Sequence, residues 1–92
     1  MEQAGGKKST SVEPSLLSMV LMLSGSAMGY LEAAGDRKQE HKKKENLDLA
    51  RYTIDLLFVL GEKTRGNLTE EEEKMLQKSL TELRLLYVKV AG

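Results

Sequence analysis

The feature that most constrains the fold is an uncharged segment near the N-terminus. Residues 14–31 contain no charged side chain, and apolar residues occupy every side of a helix drawn through residues 16–31. A helix that is apolar on all sides must be covered on all sides. The remainder of a 92-residue chain can cover only part of it. The segment therefore predicts contact with a second copy of the chain, in a homodimer or a higher oligomer.

Two glycines in this segment suggest how another helix could approach. Gly25 and Gly29 form a small-xxx-small spacing, which allows close contact between helix backbones. The same pair could instead relieve crowding within the chain. The predicted oligomer-interface residues are Leu17, Val20, Leu21, Ser24, Gly25, Met28, Gly29 and Leu31.

A membrane span is the alternative interpretation of the segment. A helix of 18 uncharged residues rises about 27 Å, slightly less than the hydrocarbon core of about 30 Å. Its serines and glycines also lower its hydrophobicity. We therefore favour a buried oligomer helix in a cytoplasmic protein, with a membrane-associated accessory protein anchored by residues 16–31 as the alternative.

Export is a third interpretation, because the segment shares features with signal peptides. Lys7 and Lys8 precede the apolar run, and small residues follow it at positions 33–35. However, Glu13 and Pro14 interrupt the approach to the apolar run. Cleavage would also leave only the C-terminal half of the chain.

The C-terminal half predicts two amphipathic helices, near residues 46–63 and 69–90. Apolar residues recur there at intervals of three and four, whereas the strict alternation typical of strands is absent. The first of these helices has a main apolar stripe at Leu47, Ala50, Ile54 and Leu57, and a second stripe beside it at Leu49, Tyr52 or Thr53, Leu56 and Leu60. The other helix has its stripe at Leu76, Leu80, Leu83, Tyr87 and Val90, widened by Met75, Leu85 and Leu86.

The connection between these two helices predicts an antiparallel hairpin. Gly66 can adopt the left-handed conformation that ends a helix, and Thr69 with Glu72 forms a capping box for the next one. Folding the chain back about Gly66 brings opposite charges together. The predicted charge pairs are Asp55 with Lys78, Arg51 with Glu82, and Lys63 with Glu70. The same register places Ala50 opposite Leu83 and Leu57 opposite Leu76.

The remaining segments are polar. Residues 1–12 predict a disordered tail, and residues 35–45 predict a charged linker that ends at Asn46, a favourable N-cap. The whole sequence thus predicts one helical domain at residues 13–92. Its fold class is all-α, with helices near residues 14–34, 46–63 and 69–90 completed as a homo-oligomeric bundle.

No set of residues predicts catalysis or metal binding. His41 is the only histidine and lies in the lysine-rich linker, and the chain has no cysteine. The acidic residues 70–73 fit helix capping better than a metal site. The basic residues of the linker lack the interleaved aromatic residues that stack on nucleic acid bases. We therefore expect no enzymatic activity, no cofactor, no metal and no nucleic acid partner.

The sequence resembles a family of uncharacterised short bacterial proteins, domain-of-unknown-function family 1844. The resemblance rests on Thr-Ile-Asp-Leu-Leu at residues 53–57, Lys-Thr-Arg-Gly-Asn-Leu-Thr within residues 62–73, and Leu-Thr-Glu-Leu-Arg at residues 80–84 with Tyr87. It extends to the serine- and leucine-rich residues 15–31. It implies a bacterial, cytoplasmic, all-helical protein and imports no activity. The best functional hypothesis is a self-associating interaction module with apolar surface left for a protein partner.

Overall fold

The computed structural model describes residues 15–92, which are helical and contain no strand. Helix α1 spans Leu16–Ala34, α2 spans Lys43–Lys63 and α3 spans Glu70–Ala91. A short 3₁₀ helix, Arg37–Lys42, joins α1 to α2. The predicted all-α fold with three long helices is therefore confirmed for the described residues. The predicted tail at residues 1–12 and the predicted helix start at residue 14 lie outside them.

Helix α1 begins and ends through local hydrogen bonds. The side-chain oxygen of Ser15 accepts a hydrogen bond from the backbone N–H of Ser18 at 3.1 Å, which caps the first turn. At the other end the backbone N–H of Gly35 donates to the carbonyl of Leu31 at 3.0 Å. Gly35 has an ordinary right-handed backbone there, with φ of −87°. The helix thus ends at the predicted residue without left-handed geometry.

The predicted linker is largely helical, and the prediction that Asn46 caps α2 is wrong. Helix α2 already begins at Lys43, so Asn46 lies inside its first turn. Before it, Asp36 starts the 3₁₀ helix, because its carboxylate accepts a hydrogen bond from the backbone N–H of Lys38 at 2.9 Å. Short polar side chains of this kind favour helix starts. A charge-rich composition alone did not reveal this start.

The connection between α2 and α3 has the predicted capping chemistry. The side-chain oxygen of Thr69 accepts from the backbone N–H of Glu72 at 3.1 Å, and the Glu72 carboxylate accepts from the backbone N–H of Thr69 at 2.8 Å. Gly66 has a φ of +86°, which a residue with a side chain rarely adopts. The capping box and the left-handed glycine are therefore confirmed.

The core is formed by one face of each helix. Helix α1 packs against both α2 and α3, and its most extensive contact is with α2. Burial of such apolar surface contributes about 25 cal/mol per Å². The buried residues that form the core cluster are Val20, Ala27, Leu31, Ala50, Ile54, Leu57, Leu76, Leu80 and Leu83. The main predicted stripes of α2 and α3 supply six of these residues, but Leu85 of the widened band is exposed.

The three predicted ion pairs between α2 and α3 do not form. Every ion pair among residues 15–92 joins neighbours along the chain. The pairs are Lys44 with Asp48 at 3.0 Å, Glu62 with Arg65, and Glu70 with Lys74 at 3.7 Å. Leu76, which the prediction placed opposite Leu57, lies against Gly61, one turn further along α2.

The contact between Phe58 and Arg84 also lies away from the pairing that the predicted register gives. The guanidinium carbon of Arg84 lies 5.5 Å from the centre of the Phe58 ring, where the predicted register placed Met75. Exposed ion pairs contribute only about 0–1 kcal/mol each. They are too weak to choose a register against the packing of leucine side chains.

Candidate interaction surface

The outward face of α1 is an exposed apolar surface. The buried residues Val20, Ala27 and Leu31 lie on one side of the helix, and the opposite side carries exposed methionine and leucine. Met22 is 69% exposed. We call this surface the α1 face and define it by Met19, Leu21, Met22, Gly25, Met28 and Gly29, all of which are exposed. Contiguous apolar surface of this kind is typical of protein or membrane contacts.

The two glycines of the α1 face lie in open space. Among residues 15–92, a Cβ atom added at Gly25 or at Gly29 would meet no atom within 4 Å. Glycine inside a helix costs roughly 1 kcal/mol relative to alanine. Gly61 provides a contrast, because a Cβ atom there would lie 2.8 Å from Cδ2 of Leu76. In the described part of the chain, a Cβ atom at position 61 would displace the end of the Leu76 side chain, whereas one at position 25 or 29 would displace nothing.

The structure separates the predicted interface residues into two groups. Leu21, Gly25, Met28 and Gly29 are exposed, and Leu17 and Ser24 are half-buried. In contrast, Val20 and Leu31 are fully buried in the core of the same chain, so they do not reach the surface. The Ser24 hydroxyl lies at the edge of the α1 face, buried and without a hydrogen-bond partner among the described residues.

The sequence prediction missed Met19 and Met22, which are exposed on the α1 face. Met22 is three residues before Gly25 and seven before Gly29, so helical spacing places it on the glycine side. This spacing was the available signal. The flexible, polarisable methionine side chain adapts to irregular partner surfaces, which suits an interaction surface.

An open cleft of about 370 Å³ lies between α2, the following loop and α3. Leu68, Leu76 and Leu80 line it together with side chains of both charges. Arg65 in its rim is paired with Glu62, and Arg84 lies over the ring of Phe58. The lining residues include no serine, threonine, cysteine, histidine or lysine. The lining therefore supplies no hydroxyl, thiol, imidazole or amine nucleophile, and its two carboxylates are those of Glu62 and Glu73.

The residues considered for catalysis or metal binding lie apart from one another. His41 is exposed in the 3₁₀ helix, and the acidic residues 70–73 form the first turn of α3. No group of three or more histidine, cysteine, aspartate or glutamate side chains in residues 15–92 is arranged to hold a metal ion. The basic residues of the predicted linker, which were considered for nucleic acid binding, are divided between the 3₁₀ helix and the start of α2.

The length and composition of α1 also meet the requirements of a membrane span. Among the described residues it is the one helix long and apolar enough to cross a bilayer. The core helix of a soluble protein and a signal sequence near an N-terminus have the same properties. Length and composition therefore do not distinguish a protein contact from a lipid contact.

Comparison with known proteins assigns a family. A family model described as a domain of unknown function, DUF1844, matches residues 13–89. No curated protein matches the chain, and no solved structure matches it. The matched residues include all of α1 and α2 and nearly all of α3. The chain therefore belongs to the DUF1844 family, whose function is unknown.

Proposed function

We propose that this protein is a non-enzymatic helical module that self-associates through the α1 face as a homodimer or larger oligomer. The observation that carries the proposal is the exposure of Met19, Leu21, Met22 and Met28 on a helix whose opposite side is already buried. Covering this apolar surface removes it from water, which favours association.

A second copy of the chain is the occupant that fits this surface. In a two-fold symmetric interface the same patch meets itself, so a charge near its centre would face an identical charge. The α1 face avoids this repulsion, because the first charged residue after Ser15 is Glu32, near the end of the helix. At 1.5 Å per residue the 19-residue helix is about 28 Å long, which gives two copies an extended line of contact.

We also infer that α2 and α3 form an antiparallel hairpin that supports α1. Two contacts favour this arrangement. Gly61, near the end of α2, lies against Leu76. Phe58, one turn earlier in α2, lies against Arg84, two turns later in α3. The residue numbers run in opposite directions along the two helices, as they do in an antiparallel pair.

The proposal is tested by measuring the mass of the full-length protein by sedimentation velocity without detergent. We expect the wild type to be a dimer or larger at micromolar concentration. Met22→Glu should give a smaller species, because it places a charge on the α1 face. Leu85→Glu is the matched control, since Leu85 of α3 is 68% exposed and Met22 is 69% exposed. A monomeric wild type, or an equal response to both variants, would contradict the proposal.

The second candidate is a membrane-associated accessory protein anchored by residues 16–31, which the length and composition of α1 favour. The two candidates differ in the occupant of the same surface. Cell fractionation distinguishes them, followed by flotation of the purified protein with phosphatidylcholine–phosphatidylglycerol vesicles. Under the self-association proposal the protein is cytoplasmic, remains in the soluble fraction and does not float. Flotation that Met22→Glu abolishes would favour the membrane candidate.

A further inference from the structure

Helix α2 carries a second apolar surface, on the side that α1 and α3 leave uncovered. Tyr52 is 62% exposed, Leu49 and Val59 are also exposed, and Leu56 is half-buried. These four residues are spaced three, four and three positions apart. This is the heptad spacing with which helices pack side by side in coiled coils. The core residues Ala50, Ile54 and Leu57 occupy a different side of the helix and supply no reason for this spacing.

Opposite charges continue the spacing at both ends. Glu45 lies four residues before Leu49, and Lys63 lies four residues after Val59. Both are exposed, and neither forms an ion pair within the described residues. We call the resulting surface the α2 stripe. It consists of Glu45, Leu49, Tyr52, Leu56, Val59 and Lys63.

The α2 stripe is complementary to a second α2 stripe that runs in the opposite direction. Its midpoint is position 54, and Glu45 and Lys63 each lie nine residues from it. If two copies pair antiparallel about this midpoint, Glu45 of each copy meets the partner's Lys63. In the same arrangement Leu49 meets the partner's Val59, and Tyr52 meets the partner's Leu56. Apolar residues thus meet apolar residues, and each end carries an opposite-charge pair.

A parallel arrangement lacks this complementarity. It would place Glu45 against the partner's Glu45 and Lys63 against the partner's Lys63, and like charges in such positions repel. A helix from a different protein would likewise give no reason for charges of opposite sign at equal distances from the midpoint. The charges at the two ends of the stripe therefore favour a second copy of the chain in the antiparallel direction.

We propose that the α2 stripe is a second self-association surface, which packs antiparallel against the α2 stripe of another copy of this chain. It is separate from the α1 face, so its existence does not depend on the contact made by α1. Each surface would pair two chains about its own two-fold axis. If the two axes intersect at right angles, four chains form a closed tetramer.

The test measures the dissociation constant of the stripe contact by sedimentation equilibrium in the full-length Met22→Glu protein, whose α1 face is blocked. Glu45→Lys should raise Kd about tenfold, a change that corresponds to about 1.4 kcal/mol. Its added lysine faces the partner's Lys63 at both ends of the contact. Adding Lys63→Glu to Glu45→Lys should restore Kd to within about twofold of the starting value, because the reversed charges pair again.

The matched control is Glu82→Lys, a charge reversal at an exposed position of α3 outside the stripe. It should leave Kd unchanged. Circular dichroism of each variant checks that its helices are intact. A Glu45→Lys effect without rescue by Lys63→Glu would overturn the antiparallel pairing, and equal effects of Glu45→Lys and Glu82→Lys would overturn the stripe as the contact.

The same experiment separates this proposal from self-association through α1. A monomeric Met22→Glu protein from an oligomeric wild type overturns the stripe contact and supports the α1 face. The converse result has two parts. The Met22→Glu protein keeps the wild-type mass, and its Kd rises with Glu45→Lys and recovers with Lys63→Glu. This result would support the α2 stripe as the contact and overturn the α1 face.

Discussion

Helices α1 and α3 are of similar length and bury one face each in the same core, but their outward faces differ. Helix α3 begins with four acidic residues and exposes mainly charged and polar side chains. Helix α1 has no acidic residue in its first turn and no basic residue in its last, and it exposes methionine, leucine and glycine. Helix α3 thus has the composition of a helix between a core and water, whereas α1 has that of a helix between two apolar surroundings.

Burial in the core and composition of the outward face are therefore separate properties of a helix. Both helices supply three residues to the core cluster. Of these two helices, α1 is the one whose outward face has a composition that contact with water does not explain. The evidence for an external contact therefore lies in exposed residues such as Met22 and Gly25, not in the size of the core.

Replacing two leucines of α3 compares its two faces, and one of them should give the largest change in the free energy of unfolding. Leu83 is buried and Leu85 is 68% exposed, so the same substitution samples both faces of one helix. We expect Leu83→Ala to lower the free energy of unfolding by about 2–5 kcal/mol, because it leaves a cavity. Leu85→Ala should change it by less than about 0.5 kcal/mol.

Urea denaturation at a fixed protein concentration measures both Leu83→Ala and Leu85→Ala. The Met22→Glu background limits the contribution of association through the α1 face to the measured stability. His41→Ala is a further control and should be close to neutral, since His41 is exposed in the 3₁₀ helix. Similar losses for Leu83→Ala and Leu85→Ala would show that the core does not lie where the structure places it.

The second prediction concerns the contact between α2 and α3. A Cβ atom at Gly61 would lie 2.8 Å from Cδ2 of the buried Leu76. Gly61→Ala should therefore force Leu76 to move, which costs about 1–3 kcal/mol in an overpacked core. The preference of a helix for alanine over glycine offsets about 0.5–1 kcal/mol of this cost, and we expect a net loss of stability. Combining it with Leu76→Ala provides the check by denaturation, because the second change removes the clash. If Gly61→Ala costs as much in the presence of Leu76→Ala, the clash is not its cause.

The third prediction concerns the start of α3. Thr69→Ala removes the side-chain acceptor of the backbone N–H of Glu72. We expect a loss of about 1 kcal/mol in the free energy of unfolding, as for other N-cap replacements. Thr69→Ser keeps a hydroxyl acceptor and should be close to wild type in the same urea titration. A loss from Thr69→Ser as large as that from Thr69→Ala would assign the effect to something other than the cap.

The sequence predicted features that depend on local interactions. The capping box at Thr69, the left-handed Gly66 and the end of α1 at Gly35 involve residues only a few positions apart. Most core residues of α2 and α3 were also predictable, because the main apolar stripe of each helix recurs at helical spacing. Leu57 and Leu83 are examples, and both are buried.

The orientation of α1 could not be predicted in this way. With apolar residues on every side, its sequence provides no contrast between an inner and an outer face. Val20 and Leu31 face the core and Met22 faces outward because of packing with α2 and α3, which is not encoded in the spacing of α1 alone. The predicted ion pairs between α2 and α3 were wrong for a different reason. Exposed ion pairs contribute little to the free energy, so their absence costs the packing of the two helices little.

Gly25→Ala tests α1 itself and, apart from the controls, should give the smallest change in the free energy of unfolding. A Cβ atom at Gly25 meets no atom of residues 15–92 within 4 Å. In the Met22→Glu background the substitution should therefore raise the free energy of unfolding by about 0.5–1 kcal/mol, the difference between glycine and alanine in a helix. In the wild type the added methyl group lies on the α1 face and should weaken association there, as sedimentation at several concentrations would show.

The opposite signs of these two effects follow from a single cause. If Gly25 served only the folded chain, replacing it would change stability and leave association unaltered. If it serves a close approach between two copies, the protein retains a less stable helix in exchange for that approach, and Gly25→Ala reverses both effects. A stabilised chain that associates as tightly as the wild type would show that glycine at this position has no role in the contact between copies.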